Sequence, residues 1–357
     1  MAINQVQFQR GLAMAEFMER YGTQELCHAE LVESRWPNGF VCAHCGCSRH
    51  STFLRDDSRY WQCSACREQT TVTSGTVFQA TKLPLTSWFL AMHLLTQAKN
   101  NVSALELKRH LGVRYKAAWL LKHKLLQVMV LREDTRRLTG RVEVDDAYLG
   151  GRLPGGKSGR GSENKVSFVA AVQTTAAGHP LLACLKKLDF TKEAIGKWAR
   201  KSLCASAEVV SDGLSCFQAV TVVGASHNAT VTGGGPASVK LPQFRAVNTL
   251  LGNLKTAFSG TYHSFDFEKY AHRYLGEVQY RFNRRFDLST ILMCLIRAQK
   301  KYHKLQRRHL PTAACRGQYE NAEIQTPCSP RLIFSQCTRQ SVHGSSSSSA
   351  CSKCSGA

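Results

Sequence analysis

The stretch at 142–151, VEVDDAYLGG, decides how the second half of the chain is read. Two β-branched residues lead into adjacent carboxylates, Asp145 and Asp146, and a glycine pair follows at 150–151. This pattern predicts a strand over Val142–Asp145 that ends on the acids. Side chains on a strand alternate faces, so the two carboxylates are not expected to serve one site together. One is expected to be aimed at a partner and the other at solvent or a helix start. A solvated strand end running into a turn is the plainer reading of the fragment taken alone.

Downstream, KVSFVAAVQTT reads as a second strand, and a turn at Ala177–Gly178 returns it into PLLACLKKL. DFTKEAIGKWARKSLC reads as a helix and AEVVSD as a short buried strand ending on Asp212. A helix near Cys216–Val223 and a strand near Ala229–Thr232 follow. Three helices close the segment, around Asn248–Phe258, Phe267–Phe286 and Leu288–Lys301. A three-strand meander followed by alternating helix and strand predicts an α/β domain over 139–301, a mixed sheet flanked by helices. Strand-end acids such as Asp212 stand where such sheets place their ligands. Residues 213–265 contain no Asp or Glu, so a third metal ligand drawn from them must be neutral.

Upstream, residues 1–37 read as an amphipathic helix and a second short one. In the segment 38–78, Cys42-x2-Cys45 is followed after seventeen residues by Cys63-x2-Cys66. Strand-like residues (Thr52, Phe53, Tyr60, Trp61) lie between the pairs. Four thiolates so spaced can close a tetrahedral structural zinc site, which predicts a zinc ribbon rather than redox or disulfide pairing. His44, Cys47 and His50 are close in sequence but are not needed as ligands. Residues 82–135 are helical: one helix in LPLTSWFLAMHLLTQAKN, then two separated by Gly112. Ser103 and Glu106 form a capping-box pattern ahead of the first of these two. A short helix, a glycine turn and a basic second helix read as helix-turn-helix-like, with Arg114, Lys116, Lys122 and Lys124 decorating the second helix.

With 357 residues and a formal charge of +22, the chain is long enough for several domains and built to attract polyanions, nucleic acid first among them. No run of about 18 apolar residues occurs, which argues against a membrane span. The N-terminus lacks a signal-peptide layout, so a cytoplasmic protein is expected. Residues 310–357 lose periodicity and end in SVHGSSSSSACSKCSGA, a low-complexity tail expected to be disordered. The glycine-rich GGRLPGGKSGRGSENK reads as a phosphate-approaching loop or a mobile hairpin loop.

Taken together, VEVDDAYLGG, SDGL, FRAVNTLLGNLK, GTYH and RYLGEVQYRFNRRF resemble bacterial insertion-sequence transposases of the zinc-ribbon, ISXO-like DDE group. The resemblance runs from about Cys42 to about Lys301. It implies an RNase-H-like catalytic domain using Mg2+ or Mn2+, with Asp145 as the first acid and Asp212 as the second. Relatives carry an acid on a helix with a basic residue seven positions later. Here Asn248 and Lys255 stand at those places, so Asn248 would be a neutral ligand and Lys255 a charge holding a DNA phosphate. A helix N-cap is the competing role for Asn248, and Asn253 lies on a different helix face from Lys255. Lys116, Lys122, Lys124, Arg281, Arg284 and Arg285 are expected to grip DNA, the last three as backbone-phosphate contacts. His227 and His263 match recurrent histidines of the group, although lone histidines are commonly structural. The implied activity is binding of element ends, strand cleavage and strand transfer into target DNA by a homo-oligomer. A degenerate DNA-binding relic and an RNase-H-like nuclease are the alternatives.

Overall fold

The protein is described here as a computed structural model covering residues 9–56, 58–150, 162, 164–231, 241–262 and 265–298. The tail at 310–357, most of the glycine-rich loop and His263 lie outside the described residues. The chain opens with α1 (Met14–Tyr21) and α2 (Gln24–Arg35), the latter capped by the Thr23 hydroxyl accepting from the Leu26 amide. Next come β1 (His50–Arg55), β2 (Ser58–Cys63) and β3 (Gln69–Thr71), antiparallel in the order β1-β2-β3. Phe53 and Tyr60 face each other across β1 and β2 and stack at 5.5 Å, a cross-strand aromatic pair of the kind that holds small sheets together.

Three helices follow: α3 (Leu85–Gln97), α4 (Ala104–Leu111) and α5 (Tyr115–Glu133). The capping box forms as the sequence predicts, with the Glu106 amide 3.0 Å from the Ser103 hydroxyl and the Ser103 amide donating back to the Glu106 carboxylate. Gly112 closes α4 at φ +64°, a left-handed conformation that favours glycine. Helix α5 has ten buried residues along its length and exposes Tyr115, Lys116 and Leu120 near its start.

The second half is β4 (Leu138–Leu149), β5 (Val166–Thr174), β6 (Pro180–Lys187), α6 (Lys192–Ser202), β7 (Leu203–Ser211), a 3-10 helix at Ser215–Val223, and β8 (Ser226–Ala229). Helices α7 (Arg245–Thr261), α8 (Phe267–Phe282) and α9 (Ile291–Ala298) complete it. The five strands form one mixed sheet in the order β6-β5-β4-β7-β8. The β4-β5-β6 meander is antiparallel, whereas β7 runs parallel to β4 and β8 parallel to β7.

Strand alternation assigns the sheet's faces. Val142 and Val144 enter the core formed with Ile195 and Trp198 of α6 and with Phe217 and Val220. Ala147 and Leu149, of opposite parity, enter the core that contains buried residues of α5, α7 and α8. That second core also includes Trp61 and Cys63 of the ribbon and Leu95 of α3, so the ribbon, the helices and one sheet face are packed as one body. Helices α5 and α8 approach closely at Gly276, where a Cβ would lie 2.3 Å from a Val130 methyl group.

Candidate catalytic and metal sites

Strand β4 carries Asp145 beside β7, with Val144 in register with Ser211. Asp212 therefore follows at the same end of two adjacent parallel strands. Carboxylate oxygens of Asp145, Asp146 and Asp212 all lie within 4.8 Å of one another. This corrects the expectation from alternation that Asp145 and Asp146 cannot share a site. The expected strand end at Asp145 is not found either: β4 continues through both acids to Leu149, paired with β5, and what ends beside them is its pairing with β7, at Val144 and Ser211. Asp145 and Asp212 are half-buried, and Asp146 is 7% exposed. The Asp145 Oδ1 also accepts the Asp146 amide at 2.9 Å.

The Asp212 turn is built locally. Its Oδ1 accepts the Leu214 amide at 3.1 Å, and Gly213 between them sits at φ +82°, where an L side chain would be strained. On the neighbouring strand, His227 Nε2 is 2.9 Å from the Ser211 hydroxyl, and burial lowers the pKa of this imidazole. His227 thus holds the residue before Asp212 and makes a structural contribution to the site.

A residue that sequence reading passed over connects the acids to α7. Glu143 shares its face of β4 with Asp145 and is only 2% exposed. Its Oε2 accepts the amides of Ala246 at 2.8 Å and Val247 at 3.0 Å, and its Oε1 lies 3.4 Å from the Arg141 guanidinium. These amides are among the orphan donors of the first turn of α7, where the helix dipole favours an anion. Burial raises the Glu143 pKa, opposed by the Val247 amide, Arg141 and the Ala246 amide. Asn248 is the next residue along, inside the first turn. It is not the N-cap, since that position belongs to Phe244, whose side chain makes no cap. Lys255 and Asn253 are both exposed on α7. The available signal was Glu143 itself, an acid of Asp145's parity flanked by two buried valines.

In the ribbon, the four sulfurs of Cys42, Cys45, Cys63 and Cys66 lie within 4.8 Å of one another. Cys42 and Cys66 are 3.6 Å apart, and Cys45 and Cys63 3.5 Å. Tetrahedral zinc with bonds of about 2.3 Å needs sulfur separations near ~3.8 Å, whereas a disulfide needs ~2.05 Å, so the cluster fits the metal. Hydrogen bonds from the Cys66 and Ala65 backbone lower the Cys63 thiol to about 6, favouring the ligating thiolate. Each knuckle ends on a left-handed residue, Gly46 at φ +76° and Arg67 at φ +60°. The neighbouring His50 and Cys47 face the carbonyls of Ser48 and Arg49.

Most of the expected DNA-gripping cations are used inside the protein. Lys122 is 1% exposed, and its ammonium donates to the Val102 carbonyl and the Tyr262 hydroxyl, both at 2.6 Å. Arg284 is buried in an ion pair with Glu133 at 2.7 Å. Arg281 donates to the Asn101 side chain at 2.8 Å and to the Ala98 and Lys99 carbonyls. Arg285 donates to the Pro180, Leu181 and Phe282 carbonyls. The RFNRR run therefore ties α8 to β6, α5 and the segment after α3, each of its guanidinium groups having partners inside the protein. Lys124 is half-buried, with its ammonium 5.8 Å from the Trp88 ring centre. Lys116 is exposed, as is Arg114 at the start of the same helix.

A mixed sheet of this order, with acids converging where the pairing of its adjacent parallel strands ends, defines an RNase-H-like α/β domain, here preceded by a four-cysteine ribbon. Residues 137–283 match the model of the ISXO2-like transposase domain, and residues 22–69 match the transposase zinc-ribbon domain. The chain belongs to this zinc-ribbon, ISXO2-like transposase family. It is similar to an uncharacterized protein in transposable element ISH50 of Halobacterium salinarum, being 31% identical over 129 residues. That alignment covers 35% of this chain and 42% of the relative, so the chain spans less than half of the relative's length.

Proposed function

We propose that the protein binds the ends of its insertion sequence as a homo-oligomer, cuts a strand to free a 3′-hydroxyl, and joins that hydroxyl to target DNA. The convergence of Asp145 and Asp212 beside the helix that carries Asn248 and Lys255 is the observation that supports this reading best. Asp145, Asp212 and the neutral carbonyl oxygen of Asn248 would hold divalent cations, Mg2+ or Mn2+, with Asp146 close enough to join them. Such ions, when bound, stabilise the attacking and leaving oxygens of an in-line phosphoryl transfer. In cleavage, a water oxygen bonds to phosphorus as the bond to the 3′-oxygen breaks, and that oxygen gains a proton. In joining, the freed 3′-hydroxyl loses its proton and attacks a target phosphate, whose own 3′-oxygen departs. Lys255, exposed two turns beyond Asn248, would hold the phosphate in line.

Lys116 and Arg114 supply the exposed cations for the duplex, in place of the committed Lys122, Arg281, Arg284 and Arg285. The ribbon's four cysteines would hold one structural Zn2+. Among the described residues no helix is long and apolar enough to cross a membrane. Work on chromosomal DNA would place the protein in the cytoplasm.

A strand-transfer assay tests the reading, using the full chain, Mg2+ or Mn2+, and DNA carrying the inverted repeats that flank the gene. Asp145→Asn and Asp212→Asn should each abolish cutting and joining while end binding persists. Asn248→Ala should lose less, because water can replace a neutral ligand. Wild-type protein that binds those ends tightly yet neither cuts nor joins them in either metal would overturn it.

A further inference from the structure

Helix α7 leads away from the acids to a second feature. Beyond its C-terminus lies an open cavity of about 590 Å³. Tyr115 and Trp119 of α5, Tyr262 and Phe265 after α7, and Tyr270 and Tyr274 of α8 line it. Some of these rings are satisfied by each other, Trp119 meeting Tyr270 edge-on at 5.5 Å and Tyr262 meeting Tyr274 at 4.5 Å. Tyr115, in contrast, is 52% exposed.

The polar groups of the cavity choose the ligand. Lys122 lines it, but its ammonium is bound to Val102 and Tyr262 and sits 4.0 Å from the Tyr262 ring centre. Glu106 and Asp266 also line the cavity. A phosphate would meet two carboxylates and a buried cation two of whose three donors are already used. A flat, uncharged heterocycle with exocyclic amino groups suits the same walls, stacking on the rings and donating to the carboxylates. Phosphate contacts are available beside the cavity, where the exposed Arg114 and Lys116 flank Tyr115. From Asn248 to Tyr262 is roughly 20 Å along the helix at about 1.5 Å per residue. Over that distance α7 exposes small residues such as Gly252, Asn253 and Thr256 together with Lys255, which would let a nucleic-acid backbone lie close.

We propose that this cavity receives one unstacked base of a DNA strand, held by aromatic stacking while Arg114 and Lys116 hold the adjoining phosphates. The inference rests on the DNA-handling function proposed above and adds a base-binding subsite to it.

The test uses the full chain and two fluorescently labelled single strands of equal length and charge. One carries normal bases, and the other has abasic tetrahydrofuran units throughout. Wild-type protein should prefer the base-bearing strand by about 5- to 150-fold, the range expected of one stacked base. Trp119→Ala and Tyr115→Ala should each cut that preference to within a few-fold without weakening binding of the abasic strand. Tyr115→Ala removes a half-exposed side chain and so tests the idea without threatening the fold. Equal binding of the two strands by the wild type, or an unchanged preference in both variants, would overturn the subsite while leaving DNA binding intact. Failure to bind either strand would overturn the subsite, and failure to bind the duplex carrying the flanking repeats as well would overturn the DNA-handling function.

Discussion

Replacing Glu143 with alanine should free the N-terminus of α7 from β4. The carboxylate accepts two amides at 2.8 and 3.0 Å from a position that is 2% exposed. Hydrogen bonds to a charged group contribute ~1.5–3 kcal/mol each. Water entering the space left by the side chain would recover part of that, leaving a net loss of about 2–5 kcal/mol. Against a typical stability of ~5–15 kcal/mol the variant should remain folded. Chemistry should suffer more than binding, because Asn248 follows directly on the anchored amides and a ~1 Å misplacement can cost about 100-fold in rate. Glu143→Gln keeps an acceptor oxygen of the same reach and should lose only ~1 kcal/mol. The assay pairs urea unfolding with strand-transfer rates at saturating DNA and with the Kd for that DNA. Glu143→Ala should lower the rate ~10- to 100-fold with Kd nearly unchanged, and Glu143→Gln should stay near wild type. If Glu143→Ala unfolds at the wild-type urea concentration and joins strands at the wild-type rate, the proposed coupling of β4 to α7 is wrong.

Further perturbations separate the remaining roles. Purified protein should release one Zn2+ per chain to a chelator, and Cys63→Ser should abolish that signal; because Cys63 and Trp61 belong to the core shared with the helices, the same change should lower Tm. Unchanged metal content in the variant would refute the four-cysteine site. Lys116→Ala should flatten the dependence of log Kd on log salt by about 0.9 if it contacts one phosphate of duplex DNA. Lys122→Met should leave that slope alone and cost stability by stripping Tyr262 and Val102 of a donor, and a flattened slope with Lys122→Met would contradict its internal role. The buried His123 imidazole is lowered to about 3 by burial, then by the Arg273 and Lys122 charges. The unfolded chain therefore binds the extra proton first, so the stability this residue contributes is complete above pH ~6.5 and is lost as pH falls toward 3. His123→Gln should flatten Tm against pH across that window, and an unaltered profile would count against the assignment.

Features set by neighbouring residues were legible before any folding was known. Two Cys-x2-Cys pairs at ribbon spacing, the Ser103–Glu106 box, the Gly112 break and the alternation through Val142–Asp145 are short-range patterns, and the structure contains each of them. The order of strands and helices was legible for the same reason, and with it Asp212 directly after a strand, whereas the run of β4 past Asp145 to Leu149 was not. Only the three-dimensional packing separates charges paired inside the protein from charges left on its surface. A lysine on a basic helix and three arginines in RFNRR look like DNA contacts until Lys122 is found bonded to Tyr262 and Arg284 to Glu133, partners 140 and 151 positions away. Glu143 was equally silent, since the amides it holds lie 103 and 104 residues downstream. Asp146 joins Asp145 and Asp212 where the β4–β7 pairing stops at Val144 and Ser211, a convergence that alternation along one strand does not record. Periodicity and spacing record the physics of adjacent residues, whereas a buried charge must be paired by whatever the fold brings to it.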